Sequence, residues 1–169
     1  MVVRVAERAV QSGAMEVIVA TDHEDVRAAV ERHGFPALMT RVDHASGTDR
    51  IAEVVDRLGW GDDIVVVNVQ GDEPLITPAV IDAVIGGFVS GCPMVTVKKQ
   101  ITDPAEAVNP TVVKVVSGTD GRALYFSRSL IPHDRDATGA CPVFKHIGIY
   151  GYTREFLYRY ASLCPTPLE

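Results

Sequence analysis

No stretch of this sequence approaches the ~18 consecutive apolar residues that a membrane-crossing helix needs, so a membrane protein is not expected. Cysteine is scarce. The three thiols, Cys92, Cys141 and Cys164, are odd in number and widely spaced, which fits neither a disulfide framework nor a zinc site. They are expected to be small, buried or half-buried hydrophobes in a reducing cytoplasm. Positive charge is also short: 16 Lys and Arg face 22 Asp and Glu, a net charge of −6. That leaves no basic field for a nucleic-acid backbone. Asn109-Pro110-Thr111 has the outline of a glycosylation sequon, but proline in the middle position disqualifies it. Repeats, low-complexity tracts and linker-like stretches are all missing. The opening residues, Met1 to Arg8, lack the basic, apolar, small-residue order of a secretory signal.

What is present is ordinary for a globular domain: 169 residues, 47% hydrophobic and 22% charged. One domain, residues 1–169, is expected. Its organising stretch is Asp63 to Pro74. Ile64-Val65-Val66-Val67 has no polar face and reads as a short strand buried on both sides. Asn68, Gln70, Asp72 and Glu73 follow at once, Gly71 lets the chain turn, and Pro74 ends the strand. In open α/β sheets ligands sit beyond the carboxyl ends of the strands. Asp72 there suits a Mg²⁺ ion, which takes oxygen donors and shares them with phosphates. The alternative is a strand that simply ends in water.

Ahead of this strand, helix and strand alternate. Val2 to Val10 forms an amphipathic helix with no capping residue or strand before it, ending at Gly13 in a left-handed cap. Strand 17–20, helix 24–33, strand 37–40 and helix 49–58 follow, the pattern of parallel βα units. Asp22 and His23 either bind a ligand or cap the following helix. Ser46, Gly47 and Thr48 lead into the helix before the central strand, where exposed amides attract anions and Ser46 or Thr48 caps. Thr77-Pro78 opens another helix. Beyond Pro93 the pattern turns antiparallel: strands 112–116 and 123–128 flank the tight turn Gly118 to Gly121. Strand 143–152 places His146, Gly148, Tyr150 and Tyr152 on one face. Gly148 and Gly151 leave room for a ligand beside His146 and Tyr150, unless those two are core residues. Thr153 caps a last helix.

Five motifs occur in order: His44-Ala45-Ser46-Gly47-Thr48-Asp49-Arg50, Asn68-Val69-Gln70-Gly71-Asp72-Glu73-Pro74, Ala123-Leu124-Tyr125-Phe126-Ser127-Arg128, Lys145 to Tyr152, and Pro165-Thr166-Pro167-Leu168-Glu169. In series they resemble the 3-deoxy-manno-octulosonate cytidylyltransferases, from Met1 to Glu169 without a break. The resemblance implies an α/β fold with a doubly wound, mostly parallel nucleotide-binding sheet and an antiparallel part for sugar binding and dimerisation. It implies a cytoplasmic homodimer that transfers CMP from CTP to the sugar acid Kdo, releasing pyrophosphate with Mg²⁺, for lipopolysaccharide synthesis. By position, Asp72 resembles the metal-binding aspartate. Ser46, Gly47 and Arg50 resemble the loop beside the nucleotide. Gln70, Arg128, His146, Tyr150 and Glu169 resemble the sugar-acid pocket, with Arg128 pairing the carboxylate and Asp72 and Arg128 serving catalysis. The family's opening strand and phosphate loop, and its closing segment with a second metal-binding aspartate, have no counterpart here. A non-catalytic remnant that only binds sugar acid or dimerises is therefore the alternative expectation.

Overall fold

The computed structural model describes residues 1–88, 91–136, 138–139 and 141–164. The elements in order are α1 (Val2–Ala9), β1 (Val19–Thr21), α2 (Glu24–Arg32), β2 (Ala37–Met39), α3 (Gly47–Leu58), β3 (Val65–Asn68), α4 (Pro78–Gly86), β4 (Met94–Gln100), α5 (Pro104–Val108), β5 (Lys114–Ser117), β6 (Ala123–Ser127), β7 (Phe144–Thr153) and α6 (Arg154–Ala161). They fall into two compact units, residues 1–95 with 149–169 and residues 96–148. None of the described helices is long and apolar enough to cross a membrane.

The first unit builds its core where α3, α6 and the strand pair β3–β7 meet. Val55 and Leu157 are fully buried there, with Ala52, Val66 and Tyr152 beside them. The ends of α3 are set by local chemistry. Ser46 caps the start, accepting the Asp49 N–H, and Gly59 closes the other end in the left-handed region at φ 64°. Thr153 likewise caps α6 by accepting the Phe156 N–H. α4 begins with Pro78 as expected, although the Thr77 side chain makes no cap bond. Val84 of α4 and Phe88, just past the helix, lie against β7: a Cβ on Gly151 would sit 2.6 Å from Phe88 Cε2 and 2.7 Å from Val84 Cγ1. That glycine is therefore filled over by the helix and offers no room to a ligand, which corrects its reading as an opening beside the strand. Gly148 does face open space.

The expected mostly parallel sheet is not what forms. β1 and β2 pair in parallel, Val19 opposite Ala37 to Thr21 opposite Met39. β3 pairs antiparallel with β7, Val65 opposite Thr153 to Asn68 opposite Tyr150. β1 and β3 do not pair with each other, and a cavity of about 1020 Å³ is lined by residues 17–20, in and before β1, and 63–71, in and around β3. The same gap explains why β3 is not buried on both faces: Val66 and Asn68 are buried, Val65 and Val67 only half-buried. Gly13 does not take a left-handed conformation; α1 ends on Val10 in the right-handed region, and the Gly13 N–H bonds to Asp82 Oδ1 at 2.7 Å.

The second unit is antiparallel. β5 and β6 pair from Lys114–Ser127 to Ser117–Ala123 with an irregularity at Val116–Ser117, and β5 meets β7 at Lys114–Lys145. The turn between β5 and β6 closes with the Gly118 N–H on Arg122 O and with Gly121 at φ 83°. Cys141 and Cys164 are exposed free thiols and Cys92 is half-buried, so two of the three are not the buried hydrophobes expected.

Candidate functional site

Within the first unit, the start of α3 lies beside the end of β3. A Cβ placed on Gly47 would come 4.0 Å from both Asn68 Nδ2 and Gln70 Nε2. Gly47, Arg50, Asn68 and Gln70 all line the large cavity. The Ser46 hydroxyl is committed to the helix start, accepting from Asp49 N at 3.2 Å and donating to Asp49 Oδ2 at 2.7 Å. Its contribution is to hold the first amides of the helix in place, where the helix dipole favours an anion.

Arg50 is fixed at the carboxyl ends of β1 and β2. Its Nη2 donates to Asp22 Oδ2 at 2.7 Å and its Nη1 to Thr40 Oγ1, with only 20% of the side chain exposed. The Arg50 hydrogen bond holds the Asp22 carboxyl below its usual range. His23 turns out to be a helix cap, its Nδ1 accepting the Asp25 N–H at 3.2 Å. Behind the loop, His44 Nε2 meets Glu53 Oε2 at 2.5 Å, and the Arg41 N–H reaches the same oxygen. Chiefly through His44, the Glu53 carboxyl is lowered to about 2. The Asp22–Arg50 ion pair and the His44–Glu53 hydrogen bond leave no signal in the sequence, because their partners are 28 and 9 residues apart with no shared periodicity.

Asp72 is exposed in the turn after β3, and its carboxylate has no hydrogen bond or ion pair to the described residues. Among the described residues no three His, Cys, Asp or Glu side chains converge on a point. A hard cation that needs one or two protein carboxylates and takes its other oxygens from phosphate and water fits that arrangement. Tyr150 stands opposite Asn68 across the β3–β7 pair, half-buried and stacked on Tyr152 with ring centroids 6.1 Å apart. Burial raises the Tyr150 hydroxyl above its usual range.

The second unit holds the other two candidates. Arg128, exposed just past β6, donates from Nη1 to Pro110 O at 3.1 Å and Thr111 O at 3.3 Å. Its Nε and Nη2 have no partner among the described residues. His146 bonds through Nε2 with Thr96 Oγ1 at 2.9 Å and stands edge-on to Phe126 at 4.9 Å. Burial lowers its pKa, so the neutral imidazole prevails. Glu169, with the rest of 165–169, lies outside the described residues.

The family model for cytidylyltransferases matches residues 1–169 in full. The chain belongs to the cytidylyltransferase family. A curated member, 3-deoxy-manno-octulosonate cytidylyltransferase from Herminiimonas arsenicoxydans, is 52% identical over 178 residues, covering 100% of this chain and 71% of that one. The solved CMP:2-keto-3-deoxy-manno-octonic acid synthetase in complex with CTP superposes with a TM-score of 0.89 at 43% identity. The match covers 97% of this cytidylyltransferase and 67% of that chain. A cytidylyltransferase from Leptospira borgpetersenii serovar Hardjo-bovis shares the fold alone, at TM-score 0.55 and 16% identity.

Proposed function

We propose that this cytidylyltransferase transfers CMP from CTP to 3-deoxy-manno-octulosonate, giving CMP-Kdo and pyrophosphate for lipopolysaccharide biosynthesis, with the residues named above in divided roles. The observation that carries the reading is the 52% identity, along the whole chain, to an enzyme of that name. The alternative, a remnant that only binds sugar acid or dimerises, is not better supported by these likenesses.

In the first unit, the N-terminal amides of α3 at Gly47, with Arg50 close by, are placed to receive a nucleotide phosphate. Gln70, whose amide borders the same point, is assigned to the sugar acid. Asp72 would hold Mg²⁺, which supplies neutralisation of phosphate charge when bound. The sugar hydroxyl forms a bond to the α-phosphorus as the bond to the bridging oxygen breaks, and pyrophosphate leaves. Ser46 keeps the helix start rigid, so the donors need no reorganisation. Tyr150 offers a hydroxyl for a sugar oxygen.

In the second unit, Arg128 recognises the sugar's carboxylate. Two carbonyls occupy Nη1, which leaves Nε and Nη2 as the parallel pair that a carboxylate accepts from. His146, neutral by burial, hydrogen-bonds a hydroxyl, and Glu169 is assigned to the same substrate. The doubly wound nucleotide sheet is part of this reading: the parallel pair β1–β2, linked through α2, is one of its βα units. A homodimer through β6 fits its exposed Leu124 and Tyr125, 70% and 54% accessible on an otherwise unpaired strand edge. The exposed free thiols fit the cytoplasm.

Replacing Arg128 by alanine tests the assignment. Loss of a charge-assisted pair, ~1.5–3 kcal/mol, should raise the KM for Kdo by roughly 10- to 150-fold and leave that for CTP nearly unchanged. Equal losses for both substrates would mean that Arg128 does not read the carboxylate.

A further inference from the structure

The most deeply buried charge in the second unit belongs to a residue with no role so far. Lys114 sits in β5 between Val113 and Val115 and is 0% exposed. Its ammonium donates to Asn109 O at 2.9 Å, Val112 O at 2.7 Å and Arg128 O at 2.5 Å. An ammonium has three donors, and all three are used. The acceptors are backbone carbonyls, so no side-chain carboxylate neutralises the charge. Burying a charge in this way is costly unless every donor is satisfied, as all three are here, and the three bonds tie together the backbone segments they join.

That geometry centres on Arg128. Lys114 ties the Arg128 backbone to the loop 109–112. The Arg128 guanidinium in turn donates to Pro110 and Thr111 of that same loop. One side chain therefore ties the root of Arg128 to both ends, Asn109 and Val112, of the loop whose Pro110 and Thr111 carbonyls its guanidinium rests on. We propose that Lys114 is the positioning residue for Arg128: it presets the guanidinium with Nε and Nη2 free, so that the sugar's carboxylate meets an ordered fork. The proposal rests on the reading of Arg128 as the carboxylate receptor.

The test compares Lys114→Met, Arg128→Ala and the double variant by Kdo and CTP binding, with thermal melting alongside. Lys114→Met is expected to weaken Kdo on the order of tenfold, with CTP affinity held within a factor of about two. The double variant should be no weaker for Kdo than Arg128→Ala alone, because Lys114 acts only through Arg128. A lowered melting temperature with both affinities equally affected, or with neither, would reduce Lys114 to a structural residue and overturn the proposal. If Arg128→Ala binds Kdo as the parent does, the Arg128 reading falls, and the proposal with it.

Should Lys114→Met fail to fold, the parent protein answers by nitrogen-15 NMR. The Lys114 ammonium protons and the amides of Asn109, Thr111 and Val112 should be protected without ligand and unmoved by Kdo, while the Arg128 Nε–H shifts. Protection that develops only when Kdo binds would show that the site is not preset.

Discussion

Two glycines of β7, three residues apart, should respond in opposite ways to the same added methyl group. At Gly151, a Cβ would lie 2.6 Å and 2.9 Å from two Phe88 ring atoms and 2.7 Å from Val84 Cγ1. Carbon atoms in contact prefer about 3.5–4.0 Å, so α4 and β7 must part by close to an ångström. Val84 is fully buried and cannot swing away. Overpacking of this kind costs ~1–3 kcal/mol. At ~2–4 °C per kcal/mol for a chain of this length, Gly151→Ala should lower Tm by roughly 2–12 °C. At Gly148 nothing lies within 4 Å of the added atom, and the residue is exposed. Gly148→Ala should stay within about 0.5 kcal/mol of the parent. Circular-dichroism melts of the two variants decide the matter. Equal behaviour would refute the packing argument, and a destabilised Gly148→Ala beside a neutral Gly151→Ala would reverse it.

Asp72→Asn keeps the size of the side chain at an exposed position, so Tm should not move; kcat at fixed Mg²⁺ should fall on the order of 100-fold, measured as pyrophosphate release. Unaltered Mg²⁺ dependence would remove Asp72 from the metal. The Glu53 carboxyl is held at about 2 in the folded chain, against a reference of 4.5. A group depressed in this way stabilises fully above its unfolded value and loses that contribution as pH falls from 4.5 through 2. Urea midpoints taken between pH 5 and 2 should therefore fall less steeply for Glu53→Gln than for the parent, and parallel curves would contradict the His44–Glu53 contact. Burial lowers the His146 pKa from 6.5, so its contribution is complete above that pH and is lost on acidification below it. His146→Gln should remove that part of the slope.

Local chemistry made several features legible. Ser46 or Thr48 marked the start of α3 to within two residues, with Ser46 the cap that forms; Thr153 marked that of α6, and the run Ile64 to Val67 a strand within one residue of β3. Each depends on neighbours a few residues away. The sheet's direction did not follow from the pattern. Alternation and apolar runs fix which residues share a face, but the choice of β7 as the antiparallel partner of β3 is made across more than eighty residues. Gly151 shows the same limit. A small residue marks a close approach, and only the structure identifies the visitor as Phe88. Lysine in the middle of Val112-Val113-Lys114-Val115-Val116 cannot be solvated on an apolar face, so it implied a buried ammonium with dedicated acceptors.

Kdo-dependent pyrophosphate release from CTP by the protein is the most direct measurement of what it does. Release is expected only when CTP, Mg²⁺ and Kdo are all present, with one CMP-Kdo formed for each pyrophosphate. Release that ignores Kdo, or that answers equally to a nine-carbon sugar acid, would contradict it.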